Sequence, residues 1–468
     1  MLARSPGHSR LLPNLLALRI HLGAFDNHAI LPVASAFLSP LTSFDLVMDI
    51  TPGLPAGTWK CLKAFLVDVT TCSPSIERFS LKVNPGADTG WLSVIGDDHS
   101  HTELVGLVRE FVSNQGGSLK YLKVNNTILT AELLEVASKL PHLEVLENSG
   151  RRLYFSPKSQ RIPSNFLPEG AFPKLQSLYL PANAQHLTSN ISNLGPVLRT
   201  LTKLTIGCRE YASPEVCREI FAAISDSCSA LASLEIIACT SINVVGGKRN
   251  STGAWLSERS DALDMARRRR CFSLEPIFSL EYLSKLTIML DFVLPIDDHA
   301  LQEALKNRRT PFDILQLSWT PRRLSLDTPH LTFNALNIVA EHCPRIRILS
   351  LLLHVGGTFD WAPPSHSFAC LQEMNFGLSS MEPRYVARAA KKLHELFRYN
   401  VPEISASTHT GHFEKCQFES NQIRTVEYNR LQWVEVVQAF NGMRGVQGSR
   451  SLKRFAQSEA RIGARYDC

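Results

Sequence analysis

The sequence predicts an α/β solenoid, a curved parallel sheet of short strands backed by helices. Three observations predict it. A leucine phrase, L-x-x-L-x-L with other apolar residues allowed, recurs in twelve copies. Apolar stripes with helical spacing lie between the copies. The first leucines step from Leu15 to Leu371 with a mean of roughly 32 residues, and a fixed period in the range of roughly 20–50 residues marks repeat architectures.

The copies run in order. They place Leu15, Leu18 and Ile20 in the first, Leu41, Phe44 and Leu46 in the second, and Ile76, Phe79 and Leu81 in the third. Leu119, Leu122 and Val124 follow, then the shortened Leu143 and Leu146, then Leu175, Leu178 and Leu180. After them come Leu201, Leu204 and Ile206, Leu231, Leu234 and Ile236, and Leu283, Leu286 and Ile288. Leu315 and Leu317 form a weaker copy, ahead of Ile346, Leu349 and Leu351 and of Leu371, Met374 and Phe376. The closing L-x-L of each reads as a strand. Its two apolar residues share one face, and the residue between them points to the other.

The helical stripes are equally regular. Within 97–114, Leu104, Leu107, Val108, Phe111 and Val112 sit at spacings of three and four, which makes one apolar stripe on a helix. Leu133, Val136, Ala137 and Leu140 repeat the pattern. Val216, Ile220, Ala223 and Ile224 do so again behind Ser213 and Pro214, an N-cap followed by a first-turn proline. In "AEHCPRIRILSLLLHV", Thr332 is expected to cap a helix that turns Leu336, Val339 and Ala340 inward. Pro344 disfavours helical geometry at Cys343, so the helix should stop there.

Residues between the paired leucines should face away from the helices. They are Arg19, Asp45, Ser80, Lys123, Tyr179, Thr205, Glu235, Thr287, Gln316, Ser350 and Asn375. Mixed charge with one aromatic suits a protein or peptide partner. A nucleic-acid backbone would want a continuous basic stripe, and a net charge of +6 is too small to argue for one. Arg19, Asp45, Lys123, Tyr179, Glu235, Gln316 and Asn375 are the expected partner-binding set.

Composition bounds the rest. Hydrophobic residues make up 44% and charged residues 20%, as in folded chains rather than disordered ones. No apolar run approaches the ~18 residues of a membrane span. The eleven cysteines contain no C-x-x-C pair, and an odd number in a long chain is easier to read as reduced thiols in the cytoplasm or nucleus. Arg4, Arg10 and Arg19, with no acid in the first 25 residues, mimic a presequence; Leu12–Ile20 reads better as the opening repeat. Sequons stand at Asn125, Asn190 and Asn250.

Other candidate motifs reduce to ordinary features. "DDHSH" at 97–101 places acids at a helix start, where the helix dipole favours them, and no second ligand cluster supports a metal. In "GGKRNST" Lys248 is followed by Arg249, so a phosphate loop is not supported. Cys228 and Cys343 read as packing residues. Arg267–Arg270 reads as a solvated charge run rather than a nuclear signal, and changing all four to Ala should leave the cellular distribution unchanged. No catalytic constellation, cofactor motif or metal site is expected.

The phrase "CPRIRILSL" at 343–351 and its kin "CSALASLEIIAC" at 228–239 resemble the cysteine-containing leucine-rich repeats of F-box proteins, with Cys239 eight after Leu231. Leu175 with Asn183 fits the more general asparagine variant. The C-terminal order resembles that of large fungal F-box/leucine-rich-repeat families: a last helix, "EPRYVARAAKKLHELF" at 382–397, an irregular segment, then a W-x-x-V helix, "LQWVEVVQAF" at 431–440. The resemblance implies the substrate-recognition part of a ubiquitin-ligase receptor. It also implies an F-box ahead of the repeats, yet no such module is recognisable before residue 12. A freestanding leucine-rich-repeat module without a ligase role is therefore the alternative.

The expected organisation is a lead-in at 1–11, a first solenoid part at 12–239, a basic Gly/Ser-containing loop insert at 240–275, a second part with a C-terminal cap at 276–446, and a disordered tail at 447–468. The expected partner is a protein, with the ligase adaptor included only if an F-box lies upstream. A monomer without nucleic acid or membrane contact is expected.

Overall fold

Each leucine phrase becomes a strand, and most of the apolar stripes become helices packed against one side. The computed structural model describes residues 14–23, 30–35, 38, 40–50, 56–85, 98–125, 128–149, 167–168, 170–182, 184–208, 214–238, 272–290, 294–319, 329–356, 366–377, 379–397, 402–405 and 420–443. The lead-in, most of the 240–275 insert with Arg267–Arg270, the tail, Asn183, Ser213 and Cys239 lie outside them.

The strands are β1 (Ala17–Leu22), β2 (Ser43–Ile50), β3 (Arg78–Pro85), β4 (Tyr121–Val124), β5 (Val145–Asn148), β6 (Ser177–Ala182), β7 (Lys203–Cys208), β8 (Ser233–Ala238), β9 (Lys285–Leu290), β10 (Ile314–Trp319), β11 (Ile348–Leu351), β12 (His354–Val355), β13 (Glu373–Asn375), β14 (Ser380–Met381) and β15 (Glu403–Ser405). The helices are α1 (Ile30–Ser35), α2 (Ala56–Cys72), α3 (Asp98–Asn114), α4 (Ala131–Ser138), α5 (Ala184–Leu198), α6 (Pro214–Ser227), α7 (Glu275–Phe278), α8 (Asp298–Lys306), α9 (Asn334–His342), α10 (Val386–Leu396) and α11 (Ser420–Met443). The described residues up to Cys208 belong to one unit and those from Pro214 onward to a second.

In the first unit β1 to β7 lie side by side in chain order, and every neighbouring pair is parallel. Parallel neighbours need a crossover between them, and α2, α3, α4 and α5 supply several of these. The register aligns the phrases. Leu18, Phe44, Phe79, Leu122, Leu146, Leu178 and Leu204 stand opposite one another in succession. The phenyl rings form the centre of this core. Phe44 stacks on Phe79 with centroids 5.7 Å apart, and α2 and α3 bring Phe65 and Phe111 onto them at 5.9 and 4.5 Å. Fully burying such a side chain is worth roughly 1.5–3 kcal/mol.

The second unit repeats the design. β8, β9, β10, β11, β13 and β15 form a parallel array, and Leu234, Leu286, Leu315, Leu349, Met374 and Ile404 align across it. The W-x-x-V helix expected from the resemblance is α11, which seats Trp433 against Phe376 (3.9 Å between centroids) and donates its indole N–H to the Ser379 carbonyl at 3.0 Å. Two features were not foreseen. The segment read as irregular contains β15, and β12 pairs with β14 in a small parallel ribbon of its own. Both are too short to carry a pattern of period two.

A single hydrogen-bond device recurs at the strand entries. The carbonyl of the residue immediately before a strand accepts two consecutive N–H groups from the next repeat. Leu16 accepts Thr42 and Ser43, Thr42 accepts Glu77 and Arg78, Glu77 accepts Lys120 and Tyr121, and Lys120 accepts Glu144 and Val145. In the second unit Ala232 accepts Ser284 and Lys285, Ser284 accepts Asp313 and Ile314, and Asp313 accepts Arg347 and Ile348. Each repeat thereby fixes the register of the next.

Helix ends follow the local sequence. Thr130 and Asp297 accept N–H groups of the first turns of α4 and α8. The cap residue of α9 is Phe333 rather than the expected Thr332, whose Oγ1 accepts the Asn334 N–H at 3.1 Å from one position earlier. Thr332 also binds Asp298, which accepts the Thr332 N–H at 2.8 Å and ties α8 to α9. Cys343 ends α9 with φ −127° and ψ 62°, outside the helical region that a following proline disfavours.

The second unit also holds a half-buried arginine. Arg308 donates to the carbonyls of Phe278 (2.7 Å), Thr310 (3.1 Å) and Leu283, and its guanidinium lies 4.0 Å over the Phe312 ring. Burial pulls its pKa down to about 10, so it stays charged near neutrality.

Candidate functional site

The alternation along each strand leaves one sheet face without helices. In the first unit the register lines up Arg19, Asp45, Ser80, Lys123 and Glu147 across β1 to β5 on that face, one residue out of step with the buried row. A second row, two residues earlier in strand position, runs across β3 to β7. It holds Arg78, Tyr121, Val145, Ser177 and Lys203.

These two rows meet at Glu147. Lys203 Nζ donates to its Oε1 at 2.7 Å, the Tyr121 hydroxyl donates to its Oε2 at 3.0 Å, and Lys123 Nζ lies 3.8 Å from Oε2. Arg78 covers the Tyr121 ring with its guanidinium 4.8 Å from the centroid. Burial would raise the Glu147 carboxyl, but the hydrogen bond and charge of Lys203, with Tyr121 and Lys123, outweigh it and hold the pKa below its ordinary value. Burial, then the Glu147 charge, pushes the Tyr121 phenol up to about 12. The carboxylate is therefore ionised and the phenol neutral through the physiological range. Nearer β1, Asp49 is held by His21 at 2.9 Å and by the Asn84 amide at 2.9 Å.

The face of the second unit is less charged. Glu235, Thr287, Gln316, Ser350 and Asn375 align across β8 to β13. The Thr287 hydroxyl donates to Gln316 Oε1 at 2.9 Å, and Asn375 Oδ1 accepts the Gly377 N–H at 2.8 Å. Gly377 has φ +54°, and a Cβ there would meet Leu352 Cδ2 at 2.9 Å, so both backbone and space call for glycine.

The expected partner-binding residues divide accordingly. Arg19 is exposed, and Asp45, Lys123, Glu235, Gln316 and Asn375 are half-buried. Tyr179 is a correction: it is only 3% exposed and offers no open contact. Ser350 is likewise 2% exposed. Strand parity assigns a side chain to a face, but it does not say what else lies on that face.

Four residues of the cluster escaped the sequence reading. Glu147 did so because its repeat lacks the third apolar residue and ends in Asn148. Treating Asn148 as a degenerate third position would have found it. Arg78, Tyr121 and Lys203 each stand two residues before a residue that was chosen, so the same parity would have found them as well.

The remaining candidates resolve simply. Cys228 and Cys343 are buried, and burial pushes their thiols up to about 12 and about 11, away from the reactive thiolate. The seven cysteines among the described residues are all free thiols. Asp98 opens α3, while the side chains of 97–101 lie outside the described residues. Asn125 and Asn190 are fully buried. Among the described residues no group of His, Cys, Asp and Glu converges as metal ligands would, and no helix is long and apolar enough to cross a membrane.

Neither a protein-family model nor a curated protein matches the chain.

Proposed function

We propose that the chain is a non-enzymatic protein-interaction scaffold of the leucine-rich-repeat kind, similar to the substrate-recognition part of F-box proteins, that works in the cytoplasm or nucleus. The observation that carries the reading is the in-register row Arg19–Asp45–Ser80–Lys123–Glu147 on a helix-free sheet face. Repeat arrays bind partners through such extended faces. The hydrogen bonds around Glu147 hold several side chains in fixed positions before any partner arrives, which lowers the ordering cost of binding. The link to a ubiquitin ligase rests on the resemblance of 228–239, 343–351 and the C-terminal helices alone.

Affinity purification with quantitative comparison tests the reading. Wild-type chain is compared with Lys123→Glu, which alters this face, and with Lys63→Glu, which alters the exposed side of α2. Partners should be lost with the first variant and kept with the second. Equal recovery with both variants would remove the proposal. Purified ligase adaptor added to the chain tests the ligase link, and stoichiometric binding would support it.

A further inference from the structure

The outward-facing charges of β1 to β7 do not cancel. Five cations, Arg19, Arg78, Lys82, Lys123 and Lys203, share the face with three acids, Asp45, Asp49 and Glu147. Glu147 is already matched by Lys203 and Lys123, and Asp49 by His21 and Asn84. Arg19, Arg78 and Lys82 have no carboxylate within ion-pair distance among the described residues. Arg78 has its guanidinium 4.8 Å from the Tyr121 ring centroid instead, and its side chain is exposed to an incoming anion. On the helix-free face of the second unit the balance is reversed, with Glu235, Glu373 and Glu403 against Lys285.

We infer, building on the scaffold reading above, that the helix-free face of the first unit receives an extended acidic segment of a partner protein, rich in Asp and Glu. Charge complementarity selects the sign of the partner. The spread of the cations selects its form. The three unmatched ones lie on β1 and β3, two strand steps of about 4.8 Å or about 10 Å apart across the sheet, with Arg78 and Lys82 about 13 Å apart along β3. One phosphate group cannot reach across that distance. An extended chain rising about 3.3 Å per residue covers that distance with about four residues, so a segment of about nine residues can present separate carboxylates to all three cations. Asp45, for which no acid-neutralising contact is described, marks the place where the segment should carry no acid.

The test uses the purified full chain and fluorescent peptides about nine residues long. A Glu-Gly repeat should bind, its Gln-Gly counterpart at least tenfold more weakly, and added salt should weaken the first and not the second. Arg78→Glu/Lys82→Glu should reduce Glu-Gly binding at least tenfold. Lys82→Glu alone, at a side chain with no described contact to lose, should reduce it severalfold, which guards against a folding defect. Equal binding of the Glu and Gln peptides, unchanged binding by the charge-reversed variants, or binding only by a phosphoserine peptide would each overturn the inference. A display selection on the same protein separates this failure from failure of the scaffold reading. Neutral binders that are lost on Lys123→Glu would leave the docking face standing and remove only the acidic partner. Binders indifferent to every face substitution would remove both.

Discussion

The side-chain amide of Asn125 hydrogen-bonds both backbone groups of Val83, which lies 42 residues earlier in the chain. Its Oδ1 accepts the Val83 N–H at 2.7 Å, and its Nδ2 donates to the Val83 carbonyl at 2.9 Å. Ser149 Oγ adds a bond to the same Oδ1 at 2.7 Å. A residue within β3 and the residues following β4 and β5 are thus joined just past the end of the β3–β4 ladder. Asn125→Ala would leave both Val83 groups buried and unpaired, at about 1–3 kcal/mol each. Denaturant melts should show a loss of about 2–5 kcal/mol, and Ser149→Ala should cost less. Equal stability of Asn125→Ala and wild type would mean that Val83 finds other partners.

The aligned leucine row makes a second prediction. Leu349→Ala or Leu178→Ala should each cost about 2–5 kcal/mol, the usual cost of an emptied core site. Lys123→Ala should cost well under that, because its side chain is 35% exposed and its contact to Glu147 is a weak one. Comparable melts for Leu349→Ala and Lys123→Ala would show that the facing of the strands is wrong.

Arg308 should not be replaceable by lysine. Its planar fork reaches the carbonyls of Phe278 and Leu283 together and stacks on Phe312, which an ammonium cannot do. Arg308→Ala and Arg308→Lys should both destabilise the chain, by about 2–4 kcal/mol for Ala given two carbonyls left without this donor. Full rescue by Lys would show that only the charge matters.

Tyr121 gives a pH-dependent signature. Its phenol is pushed up to about 12 by burial and by Glu147, above the unfolded value of about 10. The native state therefore favours the neutral phenol. That contribution is complete below about pH 10 and is lost as the pH rises toward 12. Glu147 has the opposite sign: its carboxyl is held low, so its contribution is present above about pH 4.3 and lost as the pH falls below that. An ultraviolet titration should contain a late tyrosinate component that Tyr121→Phe removes and Glu147→Gln moves to lower pH. Persistence of that component in Tyr121→Phe would assign it to another tyrosine.

The sequence by itself determined the repeat. Every copy of the leucine phrase lies on or immediately before a strand, because two apolar residues flanking one outward residue can be buried only in an extended segment against helices. The helices at 104–112, 133–138 and 336–340 were legible for the same reason, a period of three to four, although α4 stops at Ser138 before Leu140 and α9 also buries Ala335 and Ile338 beside its expected stripe. The stop at Cys343 followed from the proline after it. The tertiary structure alone decided the rest. It brought Arg78, Tyr121, Glu147 and Lys203, drawn from four strands and 125 positions of sequence, around one carboxylate. It covered Tyr179 and Ser350, which strand parity had left open. It also placed β15 beside β13, although three residues carry no period. Local periodicity fixes which face a side chain takes, since that depends only on neighbouring bonds. Which other strands share that face, and what covers it, depends on register between segments far apart in the chain, and no local pattern encodes that.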